Sequence, residues 1–464
     1  MERSEVRIVG VGAAAPELRL TARAVNAAWD RAGGRTQVAV CGPDEDVLTL
    51  SAAAAERACT AAGVHPSEVD GLWWGTTRPP FAEGPSHAVL AAALGLGDHS
   101  GGALCAGSAH AGMDAFLAAT DAVAAGSARV ALVVVADAIL PGPGTTFETR
   151  SGAGAAALVL RLGEHGALIG TRVTRTQPLL DRYRGTDEHT TRDLYDARLF
   201  RDEIFLPLLR TVIEPLAALD AHAWSLPDPD GRLGAVLAKP LGVGAPTSDS
   251  VYSAIGDTGA AAALLGALPA LDTAGSVAAV AYGGGRATGV LLTADAPVPG
   301  ASSVLEQLSG GREISYDAAL RARGLLVPTG EQVAMGVPPE SAMFVRGAHE
   351  MLELLGARCV DCGTINTPPS IHPACIQCGG SKFEVVSLAR EGTIYTYVIN
   401  QTMPAPFVAP LPLAVIDLTD GARLMLQVVG DGSDLAIGTD VELVLRRYAY
   451  ERGVPVYGWK AKPQ

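Results

Sequence analysis

Five of the seven cysteines sit where their spacing or setting suggests chemistry. Cys359-x2-Cys362 and Cys375-x2-Cys378 form two pairs separated by twelve residues, each with a glycine behind it (Gly363, Gly379). Glycine at that point allows the tight turn that aims two thiolates at one ion. Four thiolates suit tetrahedral Zn²⁺ and leave no position for water, so Cys359, Cys362, Cys375 and Cys378 read as ligands of a structural zinc ion. His372, three residues before Cys375, reads as a knuckle or surface histidine. The fifth is Cys105, in Leu104-Cys105-Ala106-Gly107, ahead of a run of small residues with helical character. A thiol at a helix start meets the positive end of the helix dipole and backbone N–H groups that favour the thiolate, which makes Cys105 a candidate nucleophile. Taken alone, the same string also suits a packed structural cysteine. Cys41, in a turn before Gly42-Pro43, and Cys59, in an Ala-rich stretch, read as structural.

The periodicity predicts the elements that must position these residues. Residues 6–13 read as a buried strand, 46–62 as an Ala-rich helix, and 69–75 as a second strand. That strand ends in the breaker-rich Gly75-Thr76-Thr77-Arg78-Pro79-Pro80. A helix over 86–94, the helix after Cys105 (108–125) and strands 129–136 and 155–162 follow. A comparable order then recurs: a strand over 167–175, helical 194–219, a strand over 221–226 and a helix over 234–241. It continues with the turn Gly256-Asp257-Thr258-Gly259, a helix over 260–268 and strands 277–282 and 288–294. Alternating strands and helices imply layered α/β architecture, and two similar halves suggest a duplicated five-layer domain over 1–330. A linker helix (340–355) and the zinc ribbon occupy 331–386. Short alternating strands at 393–399, 413–418, 423–429 and 441–446 predict a small barrel over 387–464.

Composition narrows the function classes. The 464 residues carry a formal charge of −14, which argues against a nucleic-acid footprint of clustered Lys and Arg. The longest apolar run, Val130 to Ala136, is far too short to span a bilayer, and the N-terminal residues show no basic-then-apolar leader, so a cytoplasmic protein with no membrane partner is expected. Thiols stay reduced there, which favours ligand or nucleophile over disulfide.

The ribbon followed by a barrel resembles the zinc-ribbon, OB-fold modules that accompany thiolases and 3-hydroxy-3-methylglutaryl-CoA synthases. The residues that carry the likeness are Leu355 to Gly363, Gly392-Thr393-Ile394-Tyr395-Thr396-Tyr397 and Pro412-Leu413-Ala414-Val415-Ile416, within 335–464. Cys105 with its helix, then Arg129 to Asp137, resembles the nucleophile segment of those synthases and of type III ketoacyl-carrier-protein synthases. Gly75 to Pro80, Tyr252 to Thr258, Tyr282-Gly283-Gly284-Gly285 and Arg312 to Gly324 are similar to further landmarks, so that the likeness spans 5–327. It implies a thiolase-like αβαβα domain, a homodimer, and acyl-CoA or acyl carrier protein as partner, with coenzyme A or phosphopantetheine as the thioester carrier.

The pattern also departs from the family. In Trp224 to Arg232, Pro227 stands where the family's histidine is expected, and Asp257 stands at its asparagine position. Thr77 falls at the family's general-base glutamate. Proline cannot shuttle a proton, and a carboxylate opposes an enolate but can orient a base or accept a proton. The resemblance with these changes implies an acyltransferase. Cys105 would carry the acyl group as a thioester, Asp257 would assist, and Thr77, Gly284 and His189 would contact substrate. His189 belongs to the polar stretch Asp187 to Arg192, read as a cover over the entrance. His110 and His222 are further candidates for the missing base. The alternatives are Claisen condensation through another base, or a non-catalytic thioester-binding partner. Specialised biosynthesis is the expected setting.

Overall fold

The computed structural model describes residues 5–193, 197–219, 221–242, 245–327, 342–451 and 453–464. The chain divides into two compact units, Met1–Ala91 with Leu96–Val327, and Pro328–Gln464 with Ala92–Gly95. The boundary expected at 330/331 lies outside the described residues, as does the start of the helix expected from Glu340.

A nine-stranded sheet runs through the first unit. Its strands are β1 (Glu5–Ala14), β2 (Gly71–Gly75), β3 (Gly101–Cys105), β4 (Val130–Ala138), β5 (Ala153–Gly163), β6 (Ala167–Thr176), β7 (Ala223–Ser225), β8 (Gly275–Gly283) and β9 (Arg286–Ala294). Their order is β7-β8-β9-β6-β1-β5-β4-β2-β3. The duplication expected from the sequence is visible in that order. From the centre outward one half runs β1-β5-β4-β2 and the other β6-β9-β8-β7, with matching directions. β2 and β4 are parallel, as are β7 and β8, while β4–β5, β5–β1, β8–β9 and β9–β6 are antiparallel. β3 extends the first half beyond β2 and has no counterpart among the described residues.

Four helices complete five layers: α1 (Val47–Ala62), α2 (Ala111–Ala125), α3 (Leu206–Ala217) and α4 (Ala262–Ala267). Helix α1 covers the outer face of the first half and α3 that of the second, while α2 and α4 pack together between the halves. Buried Met113, Phe116 and Ala119 of α2 share a core with Leu264 and Leu265 of α4. The abundance of Ala and Gly has its reason here. A Cβ on Gly10 or Gly12 would lie 2.5–2.7 Å from atoms of α1, so strand and helix approach closer than larger residues allow. Asp46 caps α1 reciprocally with Thr49, and Gly63 ends it at φ 62°.

Several boundaries differ from expectation. The helix after Cys105 begins at Ala111, not residue 108; residues 107–110 form a turn in which Gly107 adopts φ 101°. The stretch expected as helical over 194–219 is continuously helical over 197–217, with a π turn at Phe200–Phe205 between Ala197–Leu199 and α3. Residues 194–196 lie outside the described residues. Tyr252 to Ile255 closes the helix Ser248–Ile255.

In the second unit Leu355–Cys359 pairs with Ile365–Asn366 and Phe383–Ser387 to form the ribbon. A five-stranded sheet follows in the order Arg423–Gln427, Leu411–Leu418, Glu391–Asn400, Asp440–Glu451, Val454–Pro463. Its two edges meet where Val428 bridges to Ala461, which nearly closes an OB-type barrel. The final strand was not anticipated from sequence. No helix among the described residues is long and apolar enough to cross a membrane.

Candidate active site

A cavity of about 210 Å³ opens in the first unit, and its wall is drawn from chain just beyond the carboxyl ends of parallel strands, where α/β folds place their ligands. Thr77 and Arg78 follow β2, Gly107 to Ala109 follow β3, and Pro227 to Pro229 follow β7. Asp137 closes β4, and Tyr282 to Gly284 end β8. The turn at Gly283-Gly284 presses on the β3–α2 loop. A Cβ on Gly283 would stand 2.5 Å from His110 N and 2.9 Å from Ala109 N, and one on Gly284 would stand 3.2 Å from Ser108 Cβ.

Four carboxylates face the cavity, each engaged differently. Asp137 is fully buried; Thr77 Oγ1 donates to its Oδ1 at 2.7 Å, and the amides of Ala138 and Ala260 donate at 3.1 and 3.0 Å. Burial pushes its carboxyl up to about 6 against those donors and the nearby Arg78. Asp257 accepts from Arg182 Nη1 at 2.9 Å, and Arg182 also reaches Asp193 at 3.1 Å. Asp181 is buried and accepts a 2.5 Å hydrogen bond from the Tyr282 hydroxyl, the length of a strong O–H···O⁻ bond. Asp228, beside Pro227, caps the helix Leu233–Leu241 by accepting from Leu233 N at 2.9 Å. Burial and the neighbouring Asp230 carboxylate raise it to about 6.

Of the residues expected from sequence, Thr77, Asp257 and Gly284 line this cavity together. Cys105 does not. It ends β3, paired with Gly75, and packs against the core beside the wall residues 107–109. Residues 106–110, with Gly107 at positive φ, stand between it and the start of α2. Burial, and next the Asp114 carboxylate, push the Cys105 thiol up instead. His189 is exposed and is not part of the cavity wall; it contributes its carbonyl to Arg78 at 2.7 Å. His110 is buried between Asp114 (3.2 Å) and Thr288 (2.8 Å), and exposed His222 bonds Ser276 at 2.9 Å. Among the described residues, neither a cysteine nor a histidine lines the cavity.

Asp137, Asp181, Tyr282, Ser108 and the arginines were not singled out from sequence. Asp137 carries a readable signal, a carboxylate ending an apolar strand. Asp181 and Tyr282 are 101 residues apart and nothing local pairs them.

In the second unit the four ribbon sulfurs lie within 4.8 Å of one another, with Cys359–Cys378 and Cys362–Cys375 each at 3.6 Å. Ligands about 2.3 Å from one tetrahedral Zn²⁺ stand roughly 3.8 Å apart, so the set fits the ion. Gly363 and Gly379, at φ 76° and 74°, form the turns behind each pair. His372 bonds the Thr367 carbonyl at 3.1 Å and stands outside the ligand set.

Family models describe both parts of this unit: the ChsH2 rubredoxin-like zinc ribbon domain matches 352–384 and the ChsH2 C-terminal OB-fold domain matches 385–446. A DUF35 domain-containing scaffold protein of Methanocaldococcus jannaschii is 39% identical over 130 residues, 26% of this chain and 91% of that protein. The hydroxymethylglutaryl-CoA synthase of Pyrococcus horikoshii is 33% identical over 157 residues, 34% of this chain, and the match spans only 45% of that enzyme. Among solved structures, MvaS in complex with 3-hydroxy-3-methylglutaryl coenzyme A superimposes with a TM-score of 0.60 at 19% identity, covering 72% of this chain and 94% of that one. The priming β-ketosynthase of the R1128 polyketide pathway gives 0.55 at 26% identity, covering 64% and 98%. The chain therefore belongs, through its zinc ribbon and OB fold, to the DUF35 family, and its first unit has a thiolase-like fold similar to the hydroxymethylglutaryl-CoA synthases.

Proposed function

We propose that the first unit binds an acyl thioester of coenzyme A or a carrier protein in this cavity and transfers the acyl group directly to an acceptor, without a cysteinyl intermediate. One observation carries the reading: among the described residues the cavity wall offers four carboxylates, two tyrosines and several hydroxyls, and neither a cysteine nor a histidine. The synthase relatives and the coenzyme A complexes among the structural neighbours support a thioester as the substrate class.

Tyr282 and Asp181 supply the base. An acceptor O–H or N–H adds through its heteroatom to the thioester carbonyl, and the C–S bond breaks. The acceptor proton passes to the Tyr282 oxygen as the Tyr282 proton passes to Asp181, and it finally reaches the departing thiolate. Arg182 holds the Asp257 carboxylate in place across the cavity, and Thr77 holds Asp137. The zinc ion, when bound, would fasten the ribbon and take no part in the chemistry.

Incubation with a panel of acyl-CoAs and simple alcohol or amine acceptors tests the reading. The expected result is free thiol and acylated acceptor, with no acyl mass on the intact protein. An acyl adduct that disappears in Cys105→Ala would restore the covalent route. Binding without thiol release would favour the second reading, a non-catalytic thioester-binding partner, which the same missing nucleophile supports.

A further inference from the structure

The cavity holds an imbalance that its own side chains do not resolve. Each facing carboxylate has donors: Asp137 has Thr77 and two amides, Asp181 has Tyr282, Asp257 has Arg182, and Asp228 has the Leu233 amide. Two of the three cavity arginines are in the opposite position. Arg78 donates to the His189 carbonyl at 2.7 Å and Arg184 to the Glu188 carbonyl at 3.2 Å, so both rest on one turn, Gly185 to His189. Neither forms an ion pair among the described residues. Carbonyl groups orient a guanidinium but do not neutralise it. Arg78 is also held below its ordinary value, chiefly by burial and next by repulsion from Arg184, against the weaker attraction of the Asp137 carboxylate. Two like charges in a half-desolvated wall are costly unless an anion joins them.

We infer that Arg78 and Arg184 form a subsite for a carboxylate carried by the acyl chain or by the acceptor. The inference rests on the thioester reading above and narrows its substrate class to acidic ones. The subsite's place favours a carboxylate over the phosphates of the coenzyme. Arg78 directly follows Thr77, whose hydroxyl is bonded to fully buried Asp137, and it lines the cavity beside them. Arg184 is exposed and completes the subsite from the solvent side. A planar guanidinium can take a carboxylate through two parallel hydrogen bonds, which gives preference as well as affinity.

Calorimetric titration with pantetheine thioesters, which lack the nucleotide phosphates, tests this. Glutaryl-pantetheine should bind at least about tenfold more tightly than pentanoyl-pantetheine, a ratio that one charge-assisted pair can supply. The preference should shrink to about threefold or less in Arg78→Gln, and in Arg184→Gln, whose exposed position spares the fold. Equal affinities in the wild-type protein overturn the inference. So does a requirement for the coenzyme phosphates that is lost in the same variants, since the anion held would then be phosphate. Free glutarate and free pentanoate separate the two levels of failure. Glutarate-selective binding with no thioester binding retains the arginine subsite and ends the thioester reading; binding of none of these compounds ends both.

Discussion

Tyr282 donates its hydroxyl proton to Asp181 at 2.5 Å, and this bond joins the end of β8 to a loop 101 residues earlier in the chain, on the wall of the cavity. Phe200 and Phe205 pack edge-on against the Tyr282 ring, with centroids 6.1 and 5.0 Å away, so the phenol is fixed by packing as well as by its hydrogen bond. Replacing Tyr282 by Phe keeps that packing and removes only the proton path. Turnover should fall by roughly 10²- to 10³-fold, with thioester affinity changed by less than about threefold. Parallel measurement of kcat and Kd checks this; a loss confined to Kd would make Tyr282 a binding residue only.

Cys105→Ala should retain most of the thiol-releasing activity, since the sulfur is not on the cavity wall. The raised thiol also makes a kinetic statement: alkylation by iodoacetamide should be slow at neutral pH and should accelerate only above the range of an ordinary thiol near 8.5. Fast alkylation at pH 7 with matching loss of turnover would reinstate Cys105.

The buried Asp137 links stability to pH. Its folded-state value of about 6 lies above that of a free aspartate near 3.9, so the folded chain binds the proton more tightly. The contribution is fully present below about pH 4 and is lost as pH rises through 6, with a total on the order of 3 kcal/mol. Denaturation of wild type and Asp137→Asn between pH 4 and 7 should show this fall in the wild-type protein and a flatter profile in the variant.

Gly283 meets the backbone of Ala109 and His110 too closely for any side chain. Gly283→Ala should destabilise the first unit by about 1–3 kcal/mol through overpacking, visible as a lowered urea midpoint.

The ribbon should carry one zinc per chain by elemental analysis. Cys362→Ser with Cys375→Ser should abolish it and open residues 352–384 to protease, because zinc binding can be worth on the order of 10 kcal/mol to such a module.

The sequence was most legible where spacing alone dictates geometry. Two CxxC knuckles with glycine behind each specify a four-sulfur site almost without reference to the rest of the fold. Apolar runs such as Val130 to Ala136 likewise specify buried strands, and the repeated strand-helix order revealed the two related halves of the large sheet. The cavity was harder to read. Thr77, Asp257 and Gly284 sit in loops whose breakers mark them, and all three reach the wall. Cys105 was read as lying just ahead of a helix expected from 108; that helix begins at Ala111, after a turn with Gly107 at positive φ, and Cys105 is not among the wall residues. Asp181 meets Tyr282, and Arg78 lies near Arg184, only through the tertiary fold, and no local pattern announces such pairs.

The barrel sheet is completed by Val454–Pro463, which lies along Asp440–Glu451 and brings Ala461 to Val428. Its Trp459 indole also donates to the Leu352 carbonyl at 2.9 Å, reaching back to the helix that precedes the ribbon. Without this strand the sheet would present unpaired hydrogen-bonding groups along both Asp440–Glu451 and Arg423–Gln427, the kind of surface on which partly folded chains associate.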